Sequence, residues 1–122
     1  KADGIVDWTQ SARQVADRVR GVDPWPSAET TRPVSGGRER IKLFGPTVVS
    51  VPADAAQPGE VLGVGEHGLI VACGQGACAM AALQAPGRRR TPARDFIGGR
   101  PMPPGTVLGP DPAAAAGDGA AE

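Results

Sequence analysis

The densest chemistry in this chain is cationic. Arg88, Arg89 and Arg90 stand together, Arg94 follows, and Arg100 brings the stretch from 84 to 100 to five arginines against one acid, Asp95. A guanidinium offers a planar fork of donors that fits phosphate oxygens, and it sheds water more readily than an ammonium. Each phosphate it neutralises releases counterions, so such binding weakens as salt rises. A second set, Arg38, Arg40 and Lys42, alternates along a candidate strand and so faces one side of it. That places Glu39 on the opposite side with Ile41 and Leu43, an odd neighbourhood for a carboxylate. Lys1 is a third candidate for phosphate contact. On residues alone, a solvated turn is the simpler account of the triple arginine, and ordinary surface solubility accounts for the other cations as well as phosphate contact does.

Nothing in the chain has the spacing of a nucleophile or a metal centre, and no residue is assigned a catalytic or metal-binding role. The single histidine, His67, lies in a Glu66-His67-Gly68 turn. Cys73 and Cys78 flank Gly74-Gln75-Gly76-Ala77, which is neither a redox nor a zinc spacing. On a hairpin they would serve as small hydrophobes beside its turn, with a disulfide across it as the other geometry. The net charge is zero, yet all 13 Lys and Arg fall within residues 1–100, leaving three acids and no base in 101–122. A neutral total of this kind can conceal a basic face. No apolar run approaches the ~20 residues of a membrane span.

The elements that must carry these residues read as one helix followed by short strands. Ala12, Val15, Ala16 and Val19 form one apolar stripe of a helix capped at Thr9 or Ser11 and closed by Gly21. Asp23-Pro24-Trp25-Pro26 then makes a rigid corner, because proline fixes its own φ and pushes the preceding residue out of the helical region. Pro24, Trp25 and Pro26, with Trp8 near the start, are assigned structural roles, Trp25 as a packing anchor or, less simply, a stacking platform. Strands are expected at 27–32, at 38–51 with a break at Gly45-Pro46, and as a meander over 59–64, 69–73 and 78–83. Its core candidates are Val61, Leu62, Leu69, Val71, Met80 and Leu83. Thr91-Pro92 opens a short helical turn through Phe96, and 106–108 supplies a last strand. Eighteen glycines and 13 prolines punctuate these runs. The order suits an all-β fold: a small open Greek-key barrel of five to six strands, related to the oligonucleotide-binding barrel, with one N-terminal α-helix and a short C-terminal helical turn. The domain is expected over residues 1–109, with 110–122 a disordered Ala/Gly/Pro-rich tail. A start at Lys1 without methionine suggests that the chain continues a longer one.

Several segments together resemble the C-terminal domain of the formyltransferase family, most closely its methionyl-tRNA formyltransferase branch. They are Val6-Asp7-Trp8, Ser11-Ala12 leading to Arg18-Val19-Arg20, Asp23-Pro24-Trp25-Pro26, and Pro58-Gly59-Glu60-Val61-Leu62. Leu69-Ile70-Val71-Ala72-Cys73-Gly74-Gln75-Gly76, Leu83-Gln84-Ala85-Pro86-Gly87-Arg88-Arg89 and Asp95-Phe96-Ile97-Gly98-Gly99 complete the set in order. The resemblance implies a barrel domain that follows an N-terminal catalytic domain of the same polypeptide, where 10-formyltetrahydrofolate binds and the chemistry occurs; this chain alone holds no cofactor. It implies a cytoplasmic, tRNA-binding accessory role in translation initiation, positioning initiator tRNA with no membrane partner. Arg88, Arg89, Arg90, Arg94, Arg38, Arg40, Lys42 and Lys1 then become candidate contacts to the RNA backbone. Glu29-Thr30 departs from the aromatic that the family often carries there. That leaves open a structural or dimerisation barrel in a relative that formylates a small amine, an amino sugar or hydroxyornithine.

Overall fold

The computed structural model describes residues 5–22, 27–51 and 56–109. The corner residues Pro24, Trp25 and Pro26, together with Lys1 and the expected tail 110–122, lie outside them.

Helix α1 (Ala12–Gly21) forms as its apolar spacing predicts, with Ala12, Val15, Ala16 and Val19 all buried. Ser11 is its cap: the hydroxyl accepts from the Gln14 amide while the Gln14 side chain accepts from the Ser11 amide, a reciprocal capping box. Thr9, the other candidate, instead donates to Asp7 Oδ1 at 2.6 Å. Those contacts, from the Thr9 hydroxyl and then its amide, hold the Asp7 carboxyl below the usual 3.8. Gly21 does not adopt the left-handed cap conformation expected of it. It is the last helical residue, and Val22 at φ −108 ends the helix through amide bonds to Arg18 and Arg20.

Six strands make one sheet: β1 (Ala28–Val34), β2 (Gly37–Val49), β3 (Val61–Gly65), β4 (Gly68–Ala72), β5 (Ala77–Gln84) and the two-residue β6 (Thr91–Pro92), followed by helix α2 (Ala93–Gly99). The order is β1-β2-β5-β4-β3, with β6 paired to β5, and every pairing is antiparallel. The meander β3-β4-β5 thus lies beside β2, and the β2–β3 connection passes over two strands, which is the Greek-key arrangement. The all-β half-barrel with one N-terminal helix and a short C-terminal helix is the fold read from the sequence.

Two local expectations need correction. Gly45-Pro46 does not break β2: its register to β5 is unbroken from Lys42↔Gln84 to Val49↔Ala77. Gly45 takes φ +67, and a Cβ there would come within 2.8 Å of Ala81 Cβ, so a residue without a Cβ lets the strand run on beside β5. The irregularity falls instead between Val61 and Gly63, where the register to β4 shifts by one and Leu62 is left half-buried. The other five meander candidates, Val61, Leu69, Val71, Met80 and Leu83, are fully buried.

The last described segment does more than end the chain. Leu108 N donates to Gly59 O at 2.7 Å and Val61 N to Thr106 O at 2.7 Å, while Thr31 and Gly109 exchange amide bonds at 3.0 and 3.1 Å. It therefore lies between β1 and β3, the two open edges of the sheet, and hydrogen-bonds to both. Trp8 packs into the core beneath, its Nε1 donating to Thr30 Oγ1 at 2.9 Å.

Candidate nucleic-acid interface

The β5–β6 connection is where the arginine cluster stands. Arg88 N donates to Ala85 O at 3.0 Å around Pro86-Gly87, and Gly87 takes φ +73. Proline followed by a glycine of positive φ is the pattern of a type II turn. Two side chains then tie the loop back: Gln84 Nε2 donates to Arg88 O at 2.7 Å, and Thr91 Oγ1 to Arg89 O at 3.0 Å. The backbone bearing Arg88 and Arg89 is held at three points, which sets it apart from a loose solvated turn. Both side chains are exposed.

Arg90 behaves differently from its neighbours. Its guanidinium carbon lies 3.7 Å from the centroid of the Phe44 ring, a ring only 3% exposed, so Arg90 roofs an aromatic on the outer face of β2. Arg94, on α2, stands away from the loop and lines a separate cleft with His67, Glu66 and Thr47.

On β2 the expected alternation holds, but the three cations are not equivalent. Arg38 is engaged within the fold: Nε donates to Thr31 Oγ1 at 2.8 Å, and Nη2 to Val107 O at 2.6 Å and Thr31 O at 3.2 Å. It fastens the closing segment to β1. Arg40 is exposed, with Glu29 at 3.8 Å, and Lys42 is half-buried opposite Glu29 and Gln84 in the register. Glu39, the carboxylate that looked misplaced, has a partner on the inner face: Arg32 grips Oε1 through Nε and Nη2, both at 2.8 Å. Arg100 Nε approaches the same oxygen at 3.8 Å, and the Arg100 guanidinium carbon lies 5.3 Å from the Phe96 ring centroid.

Two concavities flank the turn. One of about 220 Å³ is lined by Glu29, Arg40, Lys42 and Gln84 with Ala85, Pro86 and Gly87. The other, about 410 Å³, is lined by Arg88, Arg89, Arg100, Thr91 and Phe96, again with Ala85 and Gly87. Arg88 and Arg89 of one sequence set and Arg40 and Lys42 of the other, separate in the sequence reading, line hollows that share the same turn. Sequence reasoning did not assign Arg100 or the supporting Gln84 and Thr91. The Pro86-Gly87 pair was the available signal for a fixed turn; the tertiary partners of Arg38, Arg90 and Arg100 leave none in local sequence.

Cys73 and Cys78 are free and buried. Burial pushes their thiols up from 9.0 to about 12 and about 11, respectively, which favours the protonated, inert form. No group of three or more His, Cys, Asp or Glu among the described residues is placed to hold a metal. No helix among them is long and apolar enough to cross a membrane.

The described residues make an antiparallel half-barrel that offers guanidinium groups outward from a braced turn. The family model for the formyl transferase C-terminal domain matches residues 1–101, and the chain belongs to that family. It is 41% identical over 109 residues to a methionyl-tRNA formyltransferase of Geobacter metallireducens, covering 89% of this chain and 33% of that protein. It is 42% identical to the methionyl-tRNA formyltransferase of Geobacter sulfurreducens, over 89% of this chain and 32% of the relative. The chain therefore spans about a third of the length of these curated relatives. Among solved structures, HypX from Aquifex aeolicus, determined in complex with tetrahydrofolic acid, superposes with a TM-score of 0.58 at 23% identity. That overlap covers 76% of this chain and 16% of HypX, a likeness of fold.

Proposed function

We propose that this chain is the RNA-positioning domain of a methionyl-tRNA formyltransferase, holding initiator tRNA so that its methionyl amine meets the formyl donor in a catalytic domain outside this chain. The donor, 10-formyltetrahydrofolate in the reading given above, belongs to that catalytic domain, and the setting is cytoplasmic translation initiation. The observation that carries the proposal is the braced β5–β6 turn, which presents Arg88 and Arg89 outward beside Arg40 and Lys42. Of the sequence candidates, the geometry favours these four; Arg38 and Arg90 have structural work, Arg94 stands apart, and Lys1 lies outside the described residues. Positioning of this kind raises rate by fixing orientation, without any residue of the domain touching the reacting atoms.

Titration of the chain with initiator tRNA at low salt tests the reading. Binding is expected, with affinity falling at least tenfold when Arg88 and Arg89 are both replaced by alanine. Absence of binding at the lowest salt would overturn it. A second reading, a barrel whose main task is docking onto another domain or copy, draws on one feature. A cleft of about 430 Å³ near the first described residues is lined by Ile5, Val6, Trp8, Pro58 and Leu108. It predicts self-association in sedimentation and no tRNA affinity.

A further inference from the structure

The two concavities beside the β5–β6 turn share Ala85 and Gly87. The turn is therefore a ridge with a hollow on each side, Arg40 and Lys42 outnumbering Glu29 on one flank and Arg88, Arg89 and Arg100 on the other. The ridge is braced from within by the Gln84 and Thr91 side chains. On the second flank Arg100 is also held in place, between Glu39 and the face of Phe96 and 28% exposed. A cation already held gives up less conformational freedom when it meets a phosphate.

A ridge between two cationic hollows matches a groove with a phosphate chain on each rim; a lone strand supplies only one chain. The described aromatics also argue against a single strand, because Trp8, Phe44 and Phe96 are each 3% exposed and leave no platform for bases to stack on. Of the two grooves of an A-form helix, the minor groove is wide and shallow enough to admit a protein loop, whereas the major groove is deep and narrow. We infer that the Ala85–Arg90 turn sits across the minor groove of a double-stranded RNA stem, with Arg40 and Lys42 on one strand's phosphates and Arg88, Arg89 and Arg100 on the other's. The inference rests on the proposed RNA-positioning role and specifies which part of a folded RNA is gripped, and how.

The test uses the whole chain with four probes: initiator tRNA, a 12-base-pair RNA duplex, each of its separated strands, and the DNA duplex of the same sequence. The RNA duplex is expected to compete with tRNA and to bind at least tenfold more tightly than either strand or the DNA. Two double variants, Arg40→Ala with Lys42→Ala and Arg88→Ala with Arg89→Ala, should each lower the salt slope for the RNA duplex by about 1.4–1.8, the worth of two phosphate contacts. Arg88→Lys with Arg89→Lys should retain most of that slope, and thermal unfolding verifies that each variant is folded. If tRNA binds but the duplex neither binds nor competes, or if one flank's variant leaves the duplex slope unchanged, the groove-spanning geometry is wrong while the RNA role survives. If no RNA binds at low salt, both fall.

Discussion

Arg38 and Arg88 carry the same side chain, and the fold uses them in opposite ways. Arg88 is exposed on a braced turn, whereas Arg38 spends its guanidinium on Thr31 and on the carbonyl of Val107. Hydrogen bonds to a charged group contribute about 1.5–3 kcal/mol each, and a carbonyl left without a donor costs further. Arg38→Ala is therefore expected to lower stability by roughly 2–3 kcal/mol in urea unfolding, while Arg88→Ala should change it by less than about 0.5. Equal small losses for both would undo the division. Local pattern made the two residues look alike, because alternation along β2 correctly gave the face but not the acceptor, which lies 69 residues away in sequence. The thiols make a second residue-level prediction. Folded Cys73 and Cys78 hold their protons to about 12 and about 11, whereas in the unfolded chain they release them near 9.0. Between those values the unfolded state binds fewer protons, so stability falls as pH rises, by up to about 1.4 kcal/mol per unit per thiol. The chain has no tyrosine to obscure the effect. Urea midpoints should drop from pH 8.5 to 10.5, and Cys78→Ala should reduce the slope; a flat profile would contradict the buried-thiol account.

At the scale of elements, what the sequence reveals follows the range of the interaction. The α1 stripe and the hairpin turns depend on near neighbours, and both are present as read. The continuity of β2 through Gly45-Pro46 depends on how closely β5 approaches Gly45, and the β3 bulge on its pairing with β4; neither distance is written in a local pattern. Gly74 shows the same dependence. It has no positive φ, yet a Cβ there would overlap the carbonyl oxygen of Thr9, because the β4–β5 turn sits directly against the start of α1. That contact is fixed by Gly74 N donating to Gln10 O and Ala12 N to Gln75 O, both at 2.8 Å. Gly76, two residues on, has φ +78 with its nearest contact, Ala12 Cβ, at 3.5 Å. Gly76→Ala therefore meets only backbone strain, about 1–2 kcal/mol. Gly74→Ala must separate the turn from the helix, and a loss above about 3 kcal/mol is expected from broken contacts and unsatisfied amides. Calorimetry of the two variants compares them directly, and the reverse ranking would show that α1 is not seated on this turn.

For the whole molecule, zero net charge makes any RNA affinity a consequence of where the charges sit. Three acidic residues of the chain lie in 101–122, and several described cations are neutralised within the fold, among them Arg32 on Glu39 and Arg20 on Asp17. Arg40, Lys42, Arg88, Arg89 and Arg100 gather around the braced ridge and outnumber the carboxylates beside them, Glu29 at 3.8 Å from Arg40 and Glu39 at 3.8 Å from Arg100, which leaves a concentrated positive field there. Such a field acts over about a Debye length, roughly 10 Å at 0.1 M salt, so an approaching RNA responds to the ridge and not to the neutral total. If all five touch phosphates, the logarithmic salt slope should be about 3.5–4.5, and raising salt from 50 to 200 mM should weaken binding roughly 10²–10³-fold. A distributed contact of one or two cations would give less than about tenfold over the same range. Fluorescence anisotropy with labelled initiator tRNA separates these outcomes. A shallow dependence at measurable affinity would mean that the surface holding the RNA lies elsewhere on the domain, and the ridge would lose its assigned role.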